Sequence, residues 1–197
     1  MATVLHVEDG NVEISTSRLL LRGARATTTD EAALFEAFSD PEVMKYIRLQ
    51  RGSDPHTCLA STAKWLSTML ESRQNGVTDF LITLTTSTSA HHPVVVGKIG
   101  VWKDQEIGFF LVRKYWGQGI AREALDAVIP YLFGEAGLSE ITADVDPRNQ
   151  SCCGLLRKVG FVVNGFEEKT YKVGETWCDS LYMKLEKETW REKVGLI

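Results

Sequence analysis

The period of the hydrophobic positions changes several times along the chain. Residues 107–112 form an apolar, aromatic-rich run of strand length. From Ile120 to Leu132 the spacing becomes helical, with Ala121, Ala124, Leu125, Val128 and Leu132 on or near one face. Pro130 marks the last turns of that helix or kinks it, and Gly134 and Gly137 end it. Upstream, residues 17–22 read as a short strand bracketed by arginines. Thr29 and Asp30 then cap a helix over 31–38 that stops at Ser39, Asp40 and Pro41.

A longer helix is expected from Pro55 to about Arg73, with Leu59, Ala63, Leu66, Met69 and Leu70 as its buried stripe, Trp65 at the border, and Asn75 and Gly76 as its end. Strands follow at 80–84 and 94–102, separated by a polar loop and joined to the next strand by a turn at 103–105. Residues 139–146 alternate as a strand with Ile141, Ala143 and Val145 on one face. Pro147 starts a helix to Lys158, and runs at 161–163 and 176–185 complete the strands. Strands followed by a strand-helix-strand-helix-strand series predict an α/β fold with a mixed central sheet of about six or seven strands flanked by helices. No repeat or Pro/Gly-rich linker divides the chain, so one domain over 1–197 is expected, with 1–15 and 187–197 as terminal extensions.

Composition narrows the function classes. The chain has 197 residues, 44% of them hydrophobic, which suits a substantial core. A net charge of -4 without a basic block argues against nucleic acid as the main partner. Cys58, Cys152, Cys153 and Cys178 have neither zinc-site spacing nor the density of a disulfide scaffold, so reduced thiols and a cytoplasmic location are expected. His91 and His92 have no accompanying ligand cluster, and no metal is expected. Nothing approaches the ~20 apolar residues of a membrane span.

The join between the strand at 107–112 and the helix at Ile120 carries chemistry. Gly117 and Gly119 allow close approach of a ligand to the backbone, and the helix start presents unpaired N–H groups with partial positive charge. Such a turn cradles a phosphate or pyrophosphate. A dinucleotide fingerprint needs a third glycine where Arg122 stands, and the Gly-Lys-Ser/Thr of a triphosphate loop is missing. The pattern Gln/Arg-x-x-Gly-x-Gly/Ala matches from Lys114 to Gly119, with Lys114 replacing the planar first residue. The segment resembles the acetyl-CoA loop of the GNAT acyltransferases. That resemblance implies a coenzyme held by Lys114, Tyr115, Trp116, Gly117, Gln118, Gly119, Ile120 and Ala121, largely through main-chain amides.

A second stretch, Asn149 to Phe161, resembles the family's Asn-x-x-Ser-x-x-Leu-Leu-x-Lys-x-Gly-Phe. The resemblance implies that the Asn149 side chain bonds the pantetheine arm. Core packing accounts for Leu155, Leu156, Val159 and Phe161, and a C-cap for Gly160. Cys152 stands where serine is common, and Leu156 where many members place a tyrosine acid. An ordinary thiol, with a pKa of about 8.5, would make Cys152 a weak hydrogen-bond donor to the departing sulfur. The start of the chain, Thr16 to Arg22 followed by a helix and Asp40 to Met44, is similar to the branch of ribosomal-protein alanine and serine N-acetyltransferases. In that branch the segment after Asp-Pro lies beside the acceptor, which makes Met44, Tyr46 and Arg48 candidate substrate contacts, with plain core packing the other role for Met44.

Acyl transfer to an amine requires a neutral nucleophile and a polarised thioester carbonyl. By resemblance, Glu106 opens the strand that carries the general base, the thioester bonds backbone groups of Phe110, Leu111 or Val112, and Asp144 and Asp146 lie on the neighbouring strand, where they could replace Glu106 or bind a cationic acceptor. The expected activity is acetyl-CoA-dependent N-acetyl transfer to a primary amine of a small molecule or a peptide N-terminus, by a monomer or homodimer without membrane or nucleic-acid partners. The alternative is a silent acyl-CoA sensor or interaction module.

Overall fold

The computed structural model describes residues 2–7, 11–47, 55–74, 78–85, 94–101, 105–173 and 175–195. Six strands form one antiparallel sheet in sequential order: β1 (Thr3–Val7), β2 (Asn11–Ser15), β3 (Leu19–Arg22), β4 (Asp79–Leu84), β5 (Val94–Val101) and β6 (Ile107–Leu111). A second sheet has the order β7-β9-β8, from β7 (Glu140–Val145), β8 (Val162–Val173) and β9 (Thr176–Glu186). One parallel bridge, Glu106 to Thr142, is the pairing recorded between the two sheets among the described residues. The mixed character expected of the sheet is confined to this junction.

Helices cover both faces. α4 (Ile120–Phe133) and α5 (Gln150–Val159) pack with Ile82, Val96, Ile107, Leu111, Ile141 and Val145 in the larger core. On the opposite face, α1 (Thr28–Phe38) and α3 (Leu59–Gln74) contribute Leu34, Phe38, Leu66 and Met69 to a core that includes Leu81 and Val95. Each such side chain, fully buried, stabilises the fold by about 1.5–3 kcal/mol relative to exposure. The alternation of β7 matches the expected pattern, with Ile141, Ala143 and Val145 buried. α4 carries Pro130 in its last turn, and the Gly134 N–H donates to the Pro130 carbonyl at 2.8 Å.

Several boundaries differ for identifiable reasons. α1 starts at Thr28, because Thr27 is the cap that accepts from the Asp30 N–H. Asp30 instead lies buried in a bidentate pair with Arg22, at 2.6 and 3.0 Å, and accepts from the Arg25 N–H. α3 starts at Leu59 rather than Pro55: the His56 N–H reaches the Phe38 carbonyl at 2.8 Å, and Nδ1 shares a 2.8 Å hydrogen bond with the Thr62 hydroxyl. Its buried line is Thr62, Leu66 and Met69, while Leu59 is 50% exposed. The expected end at Asn75 and Gly76, and the His91–His92 tip, lie outside the described residues.

The termini are more structured than their patterns suggest. β1 and β2 form a hairpin at the sheet edge, with Ile14 in the larger core. The charged tail forms α6 (Lys187–Val194), which lays Trp190 against Phe133 at 5.3 Å between ring centres. Lys193 Nζ donates to the Lys158 carbonyl at the end of α5. The β8–β9 hairpin is much longer than the apolar run at 161–163. β8 is an edge strand with Val162, Val163 and Phe166 about half exposed, and its register with β9 breaks twice.

Short α2 (Pro41–Met44), capped by Asp40, closes the α1 side. Removing one partner of a buried ion pair leaves an uncompensated charge. The Asp30→Ala variant should therefore lose about 3–5 kcal/mol in urea unfolding, with a normal slope.

Candidate active site

Antiparallel pairing orients the main chain of β6. The Val112 N–H donates to the Val96 carbonyl at 2.9 Å, and Gly97 pairs with Leu111, Lys98 with Phe110 and Gly100 with Gly108. Main-chain groups of Gly108 and Phe110 and the N–H of Val112 therefore face β5, those of Phe109 and Leu111 face away from it, and the Val112 carbonyl accepts from the Tyr115 N–H at 2.9 Å. The Leu111 carbonyl is taken by the Trp116 indole N–H at 2.8 Å. This narrows the expectation for a thioester contact: the main-chain groups of Phe110 face β5, those of Val112 are taken by Val96 and Tyr115, and the Leu111 N–H is left at the β6–β7 opening.

Beyond Leu111 the chain makes a 3-10 turn, Arg113–Tyr115, then the glycine turn and α4. Gly117 and Gly119 have φ of 71° and 75°, the left-handed region that glycine enters at little cost. A Cβ at Gly117 would meet no atom within 4 Å, so conformation rather than crowding demands glycine there. The first intrahelical bond runs from the Glu123 N–H to Gly119, and Gly119 supplies no side-chain cap. The N–H groups of Ile120, Ala121 and Arg122 thus lack helical partners.

Side chains brace this turn. Gln118 Nε2 donates to the Lys114 carbonyl, and Tyr115 packs against the cores. Lys114 Nζ pairs with Glu36 of α1 at 2.8 Å, so its ammonium ties the turn to α1 instead of entering the cradle. Arg18 was not singled out by pattern. It donates to the Gln118 carbonyl at 3.1 Å and pairs with Glu123 at 2.6 Å. Burial acts to raise the Glu123 carboxyl, but hydrogen bonds from Thr16 and Arg18 hold it below its ordinary range. A cleft of about 550 Å³ opens here, lined by Ser15, Thr16, Ser17, Gly119 and Arg122.

β6 and β7 run parallel, and each leads into a helix, so the starts of α4 and α5 lie at the same end of the opening. Asn149 caps α5, its Oδ1 accepting from the Cys152 N–H at 3.1 Å. This cap also explains why the helix begins at Gln150 and not at Pro147. The Asn149 Nδ2 donors are not engaged by that bond. Cys152 is changed more: burial, with a contribution from Cys153, pushes its thiol up to about 12. It is therefore a poorer acid than the ordinary thiol assumed from sequence, and retains an S–H donor.

Glu106 is half-buried at the bridge. Bridge partners share a face, so Glu106, Gly108 and Phe110 of β6 and Thr142 and Asp144 of β7 all lie opposite α4. Glu106 and Asp144 are thereby brought to one side of the opening. Asp146 is not available there. Burial acts to raise it, but Arg148 at 2.5 Å and the Tyr171 hydroxyl outweigh that and hold it below the usual carboxylate range. Met44 is 1% exposed and belongs to the α1–α3 core, which removes it as a substrate contact. Tyr46 is half-buried beneath Lys45, and Arg48 lies outside the described residues.

The sequence matches the acetyltransferase (GNAT) domain over residues 18–162, and the chain belongs to that family. It is accordingly an acyltransferase of the N-acetyltransferase class. An uncharacterized N-acetyltransferase, YnaD, of Bacillus subtilis is 28% identical over 179 residues, spanning 91% of this chain and 99% of the relative. A GNAT-family acetyltransferase structure from Bacillus anthracis has a TM-score of 0.73 at 28% identity, covering 89% of this chain and 99% of that one. The ribosomal L7/L12 alpha-N-protein acetyltransferase RimL, solved with coenzyme A, shares the fold at a TM-score of 0.72 and 14% identity, covering 88% of this chain and 97% of its own.

The thiols differ in environment. Cys58 is exposed, and hydrogen bonds from Ser61 lower its pKa, whereas the Cys152 thiolate is scarce below pH of about 12. Peptide mapping after iodoacetamide at pH 8 should find Cys58 alkylated first, with Cys152 reacting slowly until the pH is raised or the protein unfolds.

Proposed function

We propose that this protein is an acetyl-CoA-dependent N-acetyltransferase that moves the acetyl group directly to a primary amine, of a small molecule or a peptide N-terminus. The uncapped first turn of α4 behind two left-handed glycines carries this reading, because it supplies convergent N–H donors for a diphosphate. Coenzyme A bound to RimL supports the choice of ligand, and RimL's named substrate is a protein N-terminus.

Gly117, Gln118, Gly119, Ile120 and Ala121 hold the pyrophosphate through main-chain amides. Trp116 fixes the turn by its bond to Leu111. Asn149 uses its amide donors on the pantetheine arm while its oxygen caps α5. The Leu111 N–H polarises the thioester carbonyl at little reorganisation cost. Glu106 removes a proton from the amine, directly or through one water, and the proton finally reaches the departing sulfur. Cys152 donates a hydrogen bond to that sulfur and does not ionise. Asp144 and Tyr46 flank the acceptor side. The same reading assigns residues 1–197 to one cytoplasmic domain that needs no metal, acting as a monomer or homodimer without nucleic-acid or membrane partners. No described helix is long and apolar enough to cross a membrane.

Calorimetry with coenzyme A and thiol release over an amine panel test this. Gly119→Val, forced into a left-handed φ, should weaken coenzyme binding at least about tenfold. Glu106→Gln should retain binding and lower kcat by about 10²-fold or more. Coenzyme binding without transfer to any amine would establish the sensor reading instead.

A further inference from the structure

The face of the sheet opposite α4 holds a polar wall that the transfer chemistry above does not use. Asp79, Gly100 and Gly108 lie in one row across β4, β5 and β6, because Asp79 pairs with Gly100 and Gly100 with Gly108. Two adjacent glycines leave the middle of this row without side chains. A Cβ at Gly100 would strike Asp79 Oδ1 at 2.2 Å, the Thr78 carbonyl oxygen at 2.4 Å and Asp79 Cα at 2.7 Å, so β5 lies close against β4 there and the Asp79 carboxyl sits beside Gly100. Among the described residues, a Cβ at Gly108 would meet nothing within 4 Å. The described residues thus leave the space above Gly108 open, and Glu106 lies on the same face about 7 Å along the strand.

Lys98 completes the wall. It pairs with Phe110, one row from the two glycines, and its Nζ lies 2.7 Å from Asp79 Oδ1 and 5.7 Å from the centre of the Trp65 ring. The side chains of Lys98 and Asp79 are 12% and 9% exposed. Burial raises the Asp79 carboxyl against the opposing effect of Lys98, as expected of a carboxylate withdrawn from water. A pair this withdrawn gains little stability over apolar side chains of the same size. Its position at an open space beside Glu106 points to recognition.

We infer that Lys98, oriented by Asp79, is a specificity-determining residue of the acceptor pocket above Gly108. It selects amines that carry a carbonyl or carboxylate oxygen on the neighbouring carbon, as in a peptide N-terminus or an α-amino acid. An ammonium has three N–H donors, and its ion pair with Asp79 leaves donors for that oxygen. The amine then lies toward Glu106 and Asp144, so the pocket is negative at the amine end and positive at the oxygen end. A polyamine would bring a second cation against Lys98 and is disfavoured.

This inference rests on the acetyltransferase reading, and the experiment separates the two. Acetyl transfer is measured to alanyl-alanine, propylamine and putrescine with the full chain. The wild type should favour alanyl-alanine by about tenfold or more in kcat/KM, the discrimination expected of a charged hydrogen bond. Lys98→Met alone would leave Asp79 unpaired, so the informative variant is Lys98→Met with Asp79→Asn. It should lose that preference through KM, with coenzyme A affinity unchanged, and Lys98→Arg should restore part of it. Gly108→Leu, whose side chain enters the open space, should raise KM for every amine while the melting temperature and coenzyme binding hold. Preference for putrescine, an unaltered ratio in the double variant, or full acceptor binding by Gly108→Leu would each overturn the inference and leave the acetyltransferase reading standing. Absence of transfer to any amine would overturn both.

Discussion

The single parallel contact between Glu106 and Thr142 governs what this fold can do. Two parallel strands joined at one point leave the inner edge of β6 without a ladder beyond the bridge, and unpaired backbone groups carry a free-energy cost if they remain buried and dry. The same junction places a carboxylate at the narrow end and two helix starts at the wide end. That carboxylate and the uncapped helix start are thus separated by the length of one short strand.

The two helix starts are built differently. α4 begins at a glycine without a side-chain cap, so its first amides await an acceptor from outside the chain. α5 is capped by Asn149, which leaves only the side-chain amide for a ligand. The first helix start thus leaves main-chain donors open and the second leaves one side-chain amide. Ion pairs of Arg18, Lys114 and Arg22 with Glu123, Glu36 and Asp30 fix the elements around the turn without filling it.

The features legible in the sequence were those encoded locally. The β6 run, the α4 stripe, the paired glycines and the alternation of β7 each have a short-range signature, and each matches the structure. Features set by distant partners were not legible. The choice of Thr27 over Thr29 as a cap depends on Arg22 holding Asp30 from the neighbouring strand. The loss of Asp146 to Arg148 and the shift of Cys152 arise from packing, whereas core packing of Met44 was legible. Lys98 and Asp79 are 19 positions apart, and only strand pairing brings them together. Gly97 and Gly100 were the available signal that β5 lies close to a neighbouring strand on each side, β6 at Gly97 and β4 at Gly100.

The outer strand of the smaller sheet leaves Val162, Val163 and Phe166 in contact with water along a border that has no neighbour. A straight oily border of this kind would template the stacking of one molecule on the next. The two register breaks, with Lys169 at a φ of 53° between Glu168 and Thr170, keep the border from running straight. Colloidal solubility of this molecule thus depends on irregularity in one ribbon as well as on its net charge.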